Sequence, residues 1–206
     1  MSIVRNNTPK DTLINAIVDL EWNMFQETQN IGGRAGCQDD RETFYIMRYS
    51  QFSVLNEDTL QSYRNDLESA RQSGRNLITE KYGYMMEFTS PEYYKEKLEG
   101  VLPALSAGKA ELIAQIVSLQ LAYHKAFAEK YPRMAGAGRP EQDSYDTSVR
   151  TYSIGELKTY SEKTLQLFLR DVWGNQHMIL DIQETMAGFY GYNSLQAAED
   201  ALARRG

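Results

Sequence analysis

Hydrophobic residues return along this chain at intervals of three and four, the spacing of one face of an α-helix. Leu13, Ile14, Ile17, Val18, Met24 and Phe25 follow this rule and predict a helix ending near Thr28. Thr8-Pro9-Lys10-Asp11 starts it, with Thr8 placed to cap, Pro9 at the first helical position and Asp11 in the first turn. A second helix is expected from about Gln38 to Phe52, with Phe44, Met47 and Gln51 on one side. A third runs from Asn56-Glu57-Asp58 to Gly74, and a fourth carries Leu77, Ile78, Tyr82 and Met85. Ser90-Pro91-Glu92 opens a fifth that Leu102-Pro103 ends. The longest apolar helix, about Ser106 to Lys130, holds Leu112, Ile113, Ile116, Val117, Leu119 and Phe127 and is expected at the centre, with Gln120 and His124 near its apolar side. From Tyr131 to Thr151 the pattern lapses around Ala137-Gly138-Arg139-Pro140, which reads as a long ordered loop of the kind that carries function. Helices from Ser153 to about Val172, from Met178 to about Phe189 and after Asn193-Ser194 complete the chain. No alternating strand pattern and no internal repeat occurs. The expected fold is all-α: one domain over residues 1–206, a bundle of eight or nine helices with one long ordered loop at about 131–151.

Composition narrows the function classes. The 206 residues include 22 Lys+Arg against 28 Asp+Glu, a net charge of −6. With no basic stripe to neutralise phosphates, the balance argues against a dedicated nucleic-acid binder. A hydrophobic share of 42% suffices for one sizeable core. The N-terminus shows no apolar leader, and no stretch approaches the roughly 18 apolar residues a membrane span needs. A soluble, cytoplasmic protein without membrane contact is therefore expected. Cys37, the one cysteine, has no partner for an internal disulfide and suits a reducing compartment.

Several polar motifs stand out against this helical background. Gly32-Gly33-Arg34-Ala35-Gly36-Cys37-Gln38-Asp39-Asp40 joins paired glycines, an arginine fork and an expected helix N-terminus, the elements of an anion cradle. The same residues also describe a glycine turn before an Asp-capped helix. Glu21 and Asp40 both fall on apolar helical faces, where an ionised carboxylate must be paired or chemically employed. Burial would raise their pKa values, as acid–base catalysis requires, whereas a structural ion pair with Arg34, Arg48 or Lys81, the commoner arrangement, would also explain them. Cys37 could serve as a nucleophile, its thiol favoured by a helix N-terminus and an arginine, or as a small buried hydrophobe. Thr151-Tyr152-Ser153-Ile154-Gly155-Glu156-Leu157-Lys158-Thr159-Tyr160-Ser161 is too polar for a simple core helix start. Arg170-Asp171 followed by His177 resembles the active-site motif of HEPN ribonucleases, although Gly174-Asn175 interrupts it.

Leu20-Glu21-Trp22, Gly32-Gly33-Arg34-Ala35, Cys37-Gln38-Asp39-Asp40, Met47-Arg48, Ser50-Gln51-Phe52, Glu80-Lys81-Tyr82, Tyr131-Pro132, Gly138-Arg139-Pro140 and Gly155-Glu156-Leu157-Lys158-Thr159-Tyr160-Ser161 together resemble the pattern of domain of unknown function 4125 over nearly the whole chain. The resemblance implies no established activity. It implies only a nucleotide or small-metabolite context, because some relatives carry the domain fused to or beside a nucleotidyltransferase-like domain.

Two readings follow. In the first, the chain is a small-molecule enzyme acting on a carboxylate- or phosphate-bearing metabolite, by hydrolysis or elimination at a carbon–nitrogen or similar bond. Glu21, Asp40, Cys37, Tyr160 and Glu156 are its candidate catalytic residues, and Arg34, Gln38, Asp39, Arg48, Lys81, Arg139 and Lys158 its candidate substrate-binding residues. In the second, it is a helical partner of a nucleotidyltransferase-type protein, or a HEPN-like ribonuclease using Arg170 and His177. No Glu-x-x-His occurs, so a di-iron signature is absent; a carboxylate-bound Mg²⁺ or Mn²⁺ stays open and no zinc or haem signature appears. A homodimer through an apolar helix face is expected.

Overall fold

The computed structural model describes residues 8–29, 33–141 and 147–204. Asn30, Ile31 and Gly32 of the expected cradle, and residues 142–146 of the expected long loop, lie outside this set. Among the described residues every regular element is helical. The described residues form eleven α-helices, two more than the upper expectation, because the sequence pattern passes over one short helix and fuses two others.

Helix α1 (Pro9–Glu27) begins as its sequence dictates. Thr8 and Asp11 form a reciprocal capping box, which satisfies two backbone donors at once. The next segment departs from expectation. Gly36–Asp39 form a 3-10 turn, and α2 (Arg41–Ser53) starts only after Asp40, whose carboxylate accepts from Thr43 N at 3.0 Å. Helices α3 (Glu57–Gln72) and α4 (Leu77–Thr89) follow. α5 (Pro91–Tyr93) starts at the expected proline, then widens into a π-helical turn over Tyr94–Leu98. It stops short of Leu102, at Gly100 with φ +77°, a conformation open to glycine.

Helix α6 (Ala107–Lys130) is capped by Ser106, and α7 (Pro132–Gly136) occupies part of the segment expected as loop. The single helix expected over 153–172 is two, α8 (Val149–Thr159) and α9 (Glu162–Gly174). Ser161 separates them: its hydroxyl caps Thr164 N, while Tyr160 turns to extended backbone. A capping serine thus ends an apolar register that would otherwise read as continuous. Helices α10 (Met178–Phe189) and α11 (Leu195–Ala203) match expectation.

α1 packs on α2, α3 and α4; α4 packs on α8; and α6 lies against α7, α8, α9 and α10. The main core gathers Ile17, Leu60, Leu67, Ile116, Leu165 and Val172, all at or near zero exposure. A second cluster of Phe127, Tyr131, Ala187, Leu195 and Ala198 joins α6, α10 and α11. Glu199 of α11 secures α7 to it by accepting from Arg133 N and Met134 N at 3.0 and 2.9 Å, the placement that suits a carboxylate at a helix N-terminus. A cavity opens between the two clusters.

Candidate functional site

Four charged side chains from four helices meet in the main core: Glu21 (α1), Arg48 (α2), Lys81 (α4) and Glu156 (α8). Burying them costs free energy unless each finds partners, and each does. Arg48 Nε and Nη2 donate to Glu21 at 2.7 and 2.5 Å. Its Nη1 and Nη2 donate to Glu156 at 3.1 and 3.0 Å, and Nη1 also to Gln51 Oε1 at 2.6 Å. All five guanidinium hydrogens are thereby used, a fork that lysine could not reproduce. Lys81 Nζ donates to Glu156 Oε2 at 2.6 Å. Two phenols complete the shell: Tyr63 OH donates to Glu21 Oε1 at 2.7 Å, and Tyr160 OH to Glu156 Oε1 at 3.0 Å. Their rings lie 4.4 Å apart.

The charges balance, two cations against two carboxylates, and this sets the protonation states. Burial pushes the Glu156 carboxyl up, but Arg48 and Lys81 outweigh it and hold it well below the usual carboxylate range. Burial likewise pulls Lys81 and Arg48 down, and in each the facing carboxylates prevail and keep the cation charged. Burial and the adjacent carboxylates both push the Tyr63 and Tyr160 phenols up, so both hold their protons. Glu156 is thus an ionised acceptor with all four lone-pair positions occupied, and Glu21 accepts three bonds. These are the geometries of positioning groups rather than of free acids or bases.

Gly155 makes this convergence feasible. A side chain there would meet Met85 and the Lys81 carbonyl, so its absence lets α8 lie close on α4 and brings Glu156 to Lys81.

Glu156 and Tyr160 also form part of the wall of the cavity, which measures about 710 Å³, within the range of small-molecule sites. Met47, Phe52, Phe127, Met178 and Met186 give it an apolar interior, and its polar lining includes Gln51, Gln120, His124, Arg139, Tyr152, Ser153, Glu156 and Gln183. Ser153 Oγ donates to Gln120 Oε1 at 2.9 Å. His124 follows Gln120 by one turn of α6; burial lowers its pKa against the pull of Glu141, so the imidazole is neutral at pH 7. Tyr152 carries two cations over its ring, Lys81 Nζ at 3.7 Å and Arg139 Cζ at 4.3 Å from the centroid. Arg139 donates to Thr147 O at 3.3 Å and makes no salt bridge among the described residues.

Of the residues that sequence reasoning singled out, Glu21, Arg48, Lys81, Glu156 and Tyr160 therefore come together, with Arg139 at the neighbouring wall. The others do not join them. Arg34 is exposed and spends its guanidinium on Asp39, Gln26 Oε1 and the Gln38 carbonyl. Gln38 is buried but structural: its amide donates to Phe25 O and Thr28 O and its oxygen accepts from Ala35 N, pinning the loop to the end of α1. Asp40 was expected on a buried face with a raised pKa; it is exposed, and the bonds from Thr43 that make it a cap lower its pKa instead. Cys37 is an exposed thiol rather than a buried hydrophobe, and it lies outside the cavity lining. Lys158 faces the other side of α8, bonded to Glu87 and close to the Phe88 ring. Arg170 forks onto Asp58 at 2.7 and 2.8 Å, while His177, also exposed, bonds through its backbone to Asn175; no hydrogen bond joins Arg170 to His177. Tyr152 and Ser153, read only as part of a polar stretch, and Gln51, Gln120 and His124, read as residues on or near apolar helix faces, are the lining that the sequence left without a role. Their signal was that helical placement, polar groups where apolar ones would pack.

No group of His, Cys, Asp and Glu side chains is arranged to hold a metal ion among the described residues, and no described helix is long and apolar enough to cross a membrane. The family model described as protein of unknown function (DUF4125) matches residues 11–200. The chain belongs to the DUF4125 family. The match takes in all four charged residues of the core and the whole described cavity lining except Leu202. No curated protein and no solved structure matches the chain, so this DUF4125 member is read from its own geometry.

Proposed function

We propose that the chain is a small-molecule enzyme that takes a carboxylate- or phosphate-bearing metabolite into the cavity between the two hydrophobic clusters. The observation that carries this reading is the pairing of a 710 Å³ cavity with a lining guanidinium, Arg139, that has no carboxylate partner among the described residues. An anionic group would find there the planar fork it binds best. In this reading His124 is the proton carrier: neutral at pH 7, half-buried and without a hydrogen-bonded protein partner among the described residues, it can accept or return a proton in hydrolysis or elimination at a carbon–nitrogen bond. Glu21, Glu156 and Tyr160, already engaged in the ion network, act by fixing the wall. The exposed Asp40, Arg34 and Cys37 take no part.

A thermal-shift screen against carboxylates, phosphorylated metabolites, nucleotides and divalent ions tests the reading, because a ligand that binds only the folded state raises the melting temperature. The expected result is a shift with anions in the wild type that is lost in Arg139→Ala and retained in Arg34→Ala. An anion shift that persists in Arg139→Ala, or that vanishes in Arg34→Ala, would reject the assignment.

A further inference from the structure

The cavity also bears on what kind of anion it would take, an inference that rests on the small-molecule reading above. Among the described residues, Arg139, His124 and Glu156 are its ionisable lining groups other than tyrosines. Burial keeps His124 neutral at pH 7. The Glu156 carboxylate belongs to Arg48 and Lys81, and neither of those cations lines the cavity. Among the described residues, a ligand therefore meets one positive charge without a carboxylate partner, that of Arg139. A second negative charge on it would find no further cation among the described lining residues, and a charge taken out of water without a counter-ion is costly. Phosphate monoesters and nucleoside polyphosphates, which carry two or more charges at neutral pH, do not suit such a wall.

The rest of the lining favours a particular body. Met47, Phe52, Phe127, Met178, Met186 and Ile182 offer surfaces that gain free energy only by covering apolar groups, and unbranched methionines adapt to chains or rings of differing shape. A sugar or nucleoside would leave unpaired whichever hydroxyls it turned toward these apolar walls.

We infer that the ligand of this cavity is an amphipathic monoanion, one carboxylate on an apolar chain or ring, held by Arg139 at its head and by the methionine and aromatic walls along its body.

Calorimetric titration of the full chain tests this with straight-chain carboxylates from butanoate to decanoate, all below their micellar concentrations, with decanamide as the neutral analogue, and with glucose phosphate and a nucleoside diphosphate as polyanions. Affinity is expected to rise about three- to fourfold per methylene, the effect of burying one such group, until the chain fills the cavity. Decanamide should bind at least tenfold more weakly than decanoate. In Arg139→Gln that preference for the carboxylate should vanish while decanamide binding persists, which a merely unfolded variant would not show. Met186→Trp, which fills part of the apolar space, should shorten the longest chain that still gains affinity. Tighter binding of either polyanion than of decanoate, or affinity independent of chain length, would overturn the inference and leave the small-anion reading standing. No binding by any member of the panel would overturn both.

Discussion

Gly155 faces Lys81 so closely that a methyl group added to the glycine would stand 2.9 Å from the Lys81 carbonyl oxygen, and only 2.4 Å from Met85 Cγ. The methionine can swing aside, but a helix carbonyl cannot. Gly155→Ala is therefore expected to destabilise the protein by about 1–3 kcal/mol, the usual cost of forcing extra volume into a packed contact, although alanine is the better helix former. Urea denaturation of the purified variant measures it; unchanged stability would mean that α4 and α8 can part without loss.

Arg48 compensates two carboxylates at once, one of them, Glu21, with 0% exposure. Arg48→Leu leaves both facing the core without their fork, and a loss of about 3–5 kcal/mol is expected. Arg48→Lys should restore little of it, since a single ammonium cannot serve Glu21, Glu156 and Gln51 together. A double-mutant cycle with Glu21→Gln should return a coupling energy well above that of a surface pair.

The lowered pKa of Glu156 gives stability a defined dependence on acid. Its folded value lies below the ordinary 4.5, so the unfolded chain takes up the proton first. The contribution is complete above that ordinary value and is lost as pH falls from about 5 towards the folded value. Stability measured from pH 7 to pH 3 should fall along this limb, and Glu156→Gln should be less stable at pH 7 and show a shallower slope. Equal slopes in the two proteins would assign the acid sensitivity to other carboxylates.

Asp171, on the neighbouring helix α9, holds the start of α3. Its carboxylate accepts from Asn56 N, Asn56 Nδ2 and Thr59 Oγ1 at 2.9, 2.6 and 2.7 Å, while Asn56 makes no side-chain cap of its own. Asp171→Ala strands these donors, each at a cost of about 1–3 kcal/mol if it remains buried. His177→Ala, at an exposed position, should stay within about 0.5 kcal/mol of wild type. Chemical denaturation of the two variants separates a capping role for this segment from a site built on Arg170 and His177.

These contrasts show which features the sequence carries locally. Thr8-Pro9-Lys10-Asp11 places the start of α1 because cap, proline and acidic first turn act within four residues. Glu21 betrays itself as a charge in an apolar register. The start of α2 is misread because Asp39 and Asp40 are equally good first-turn residues, and only the 3-10 turn that Gln38 clamps against α1 decides between them. The break at Ser161 is hidden for a related reason, since Leu157, Tyr160, Leu165 and Phe168 keep helical spacing across it. The partners of Glu21 were the least legible. Arg48, Lys81 and Arg34 were equivalent cations on the page of sequence, and only the packing of the helices gives Glu21 to Arg48, Lys81 to Glu156 and Arg34 to Asp39. The unclaimed polar residues of the cavity, Gln120 and His124 above all, became meaningful only once the fold set them in one cavity lining with Met178 and Met186.

The four-helix ion network bears on how the chain reaches its folded state. Its bonds span 27, 75 and 108 residues of sequence, so it closes only after distant segments have met, a slow class of event. Any form with three of the four helices docked would hold a desolvated charge without its counterion, and such forms are disfavoured against both the open chain and the finished one. The network therefore works as a lock on cooperativity, suppressing half-assembled species, and removing one of its members should speed unfolding more than it slows folding.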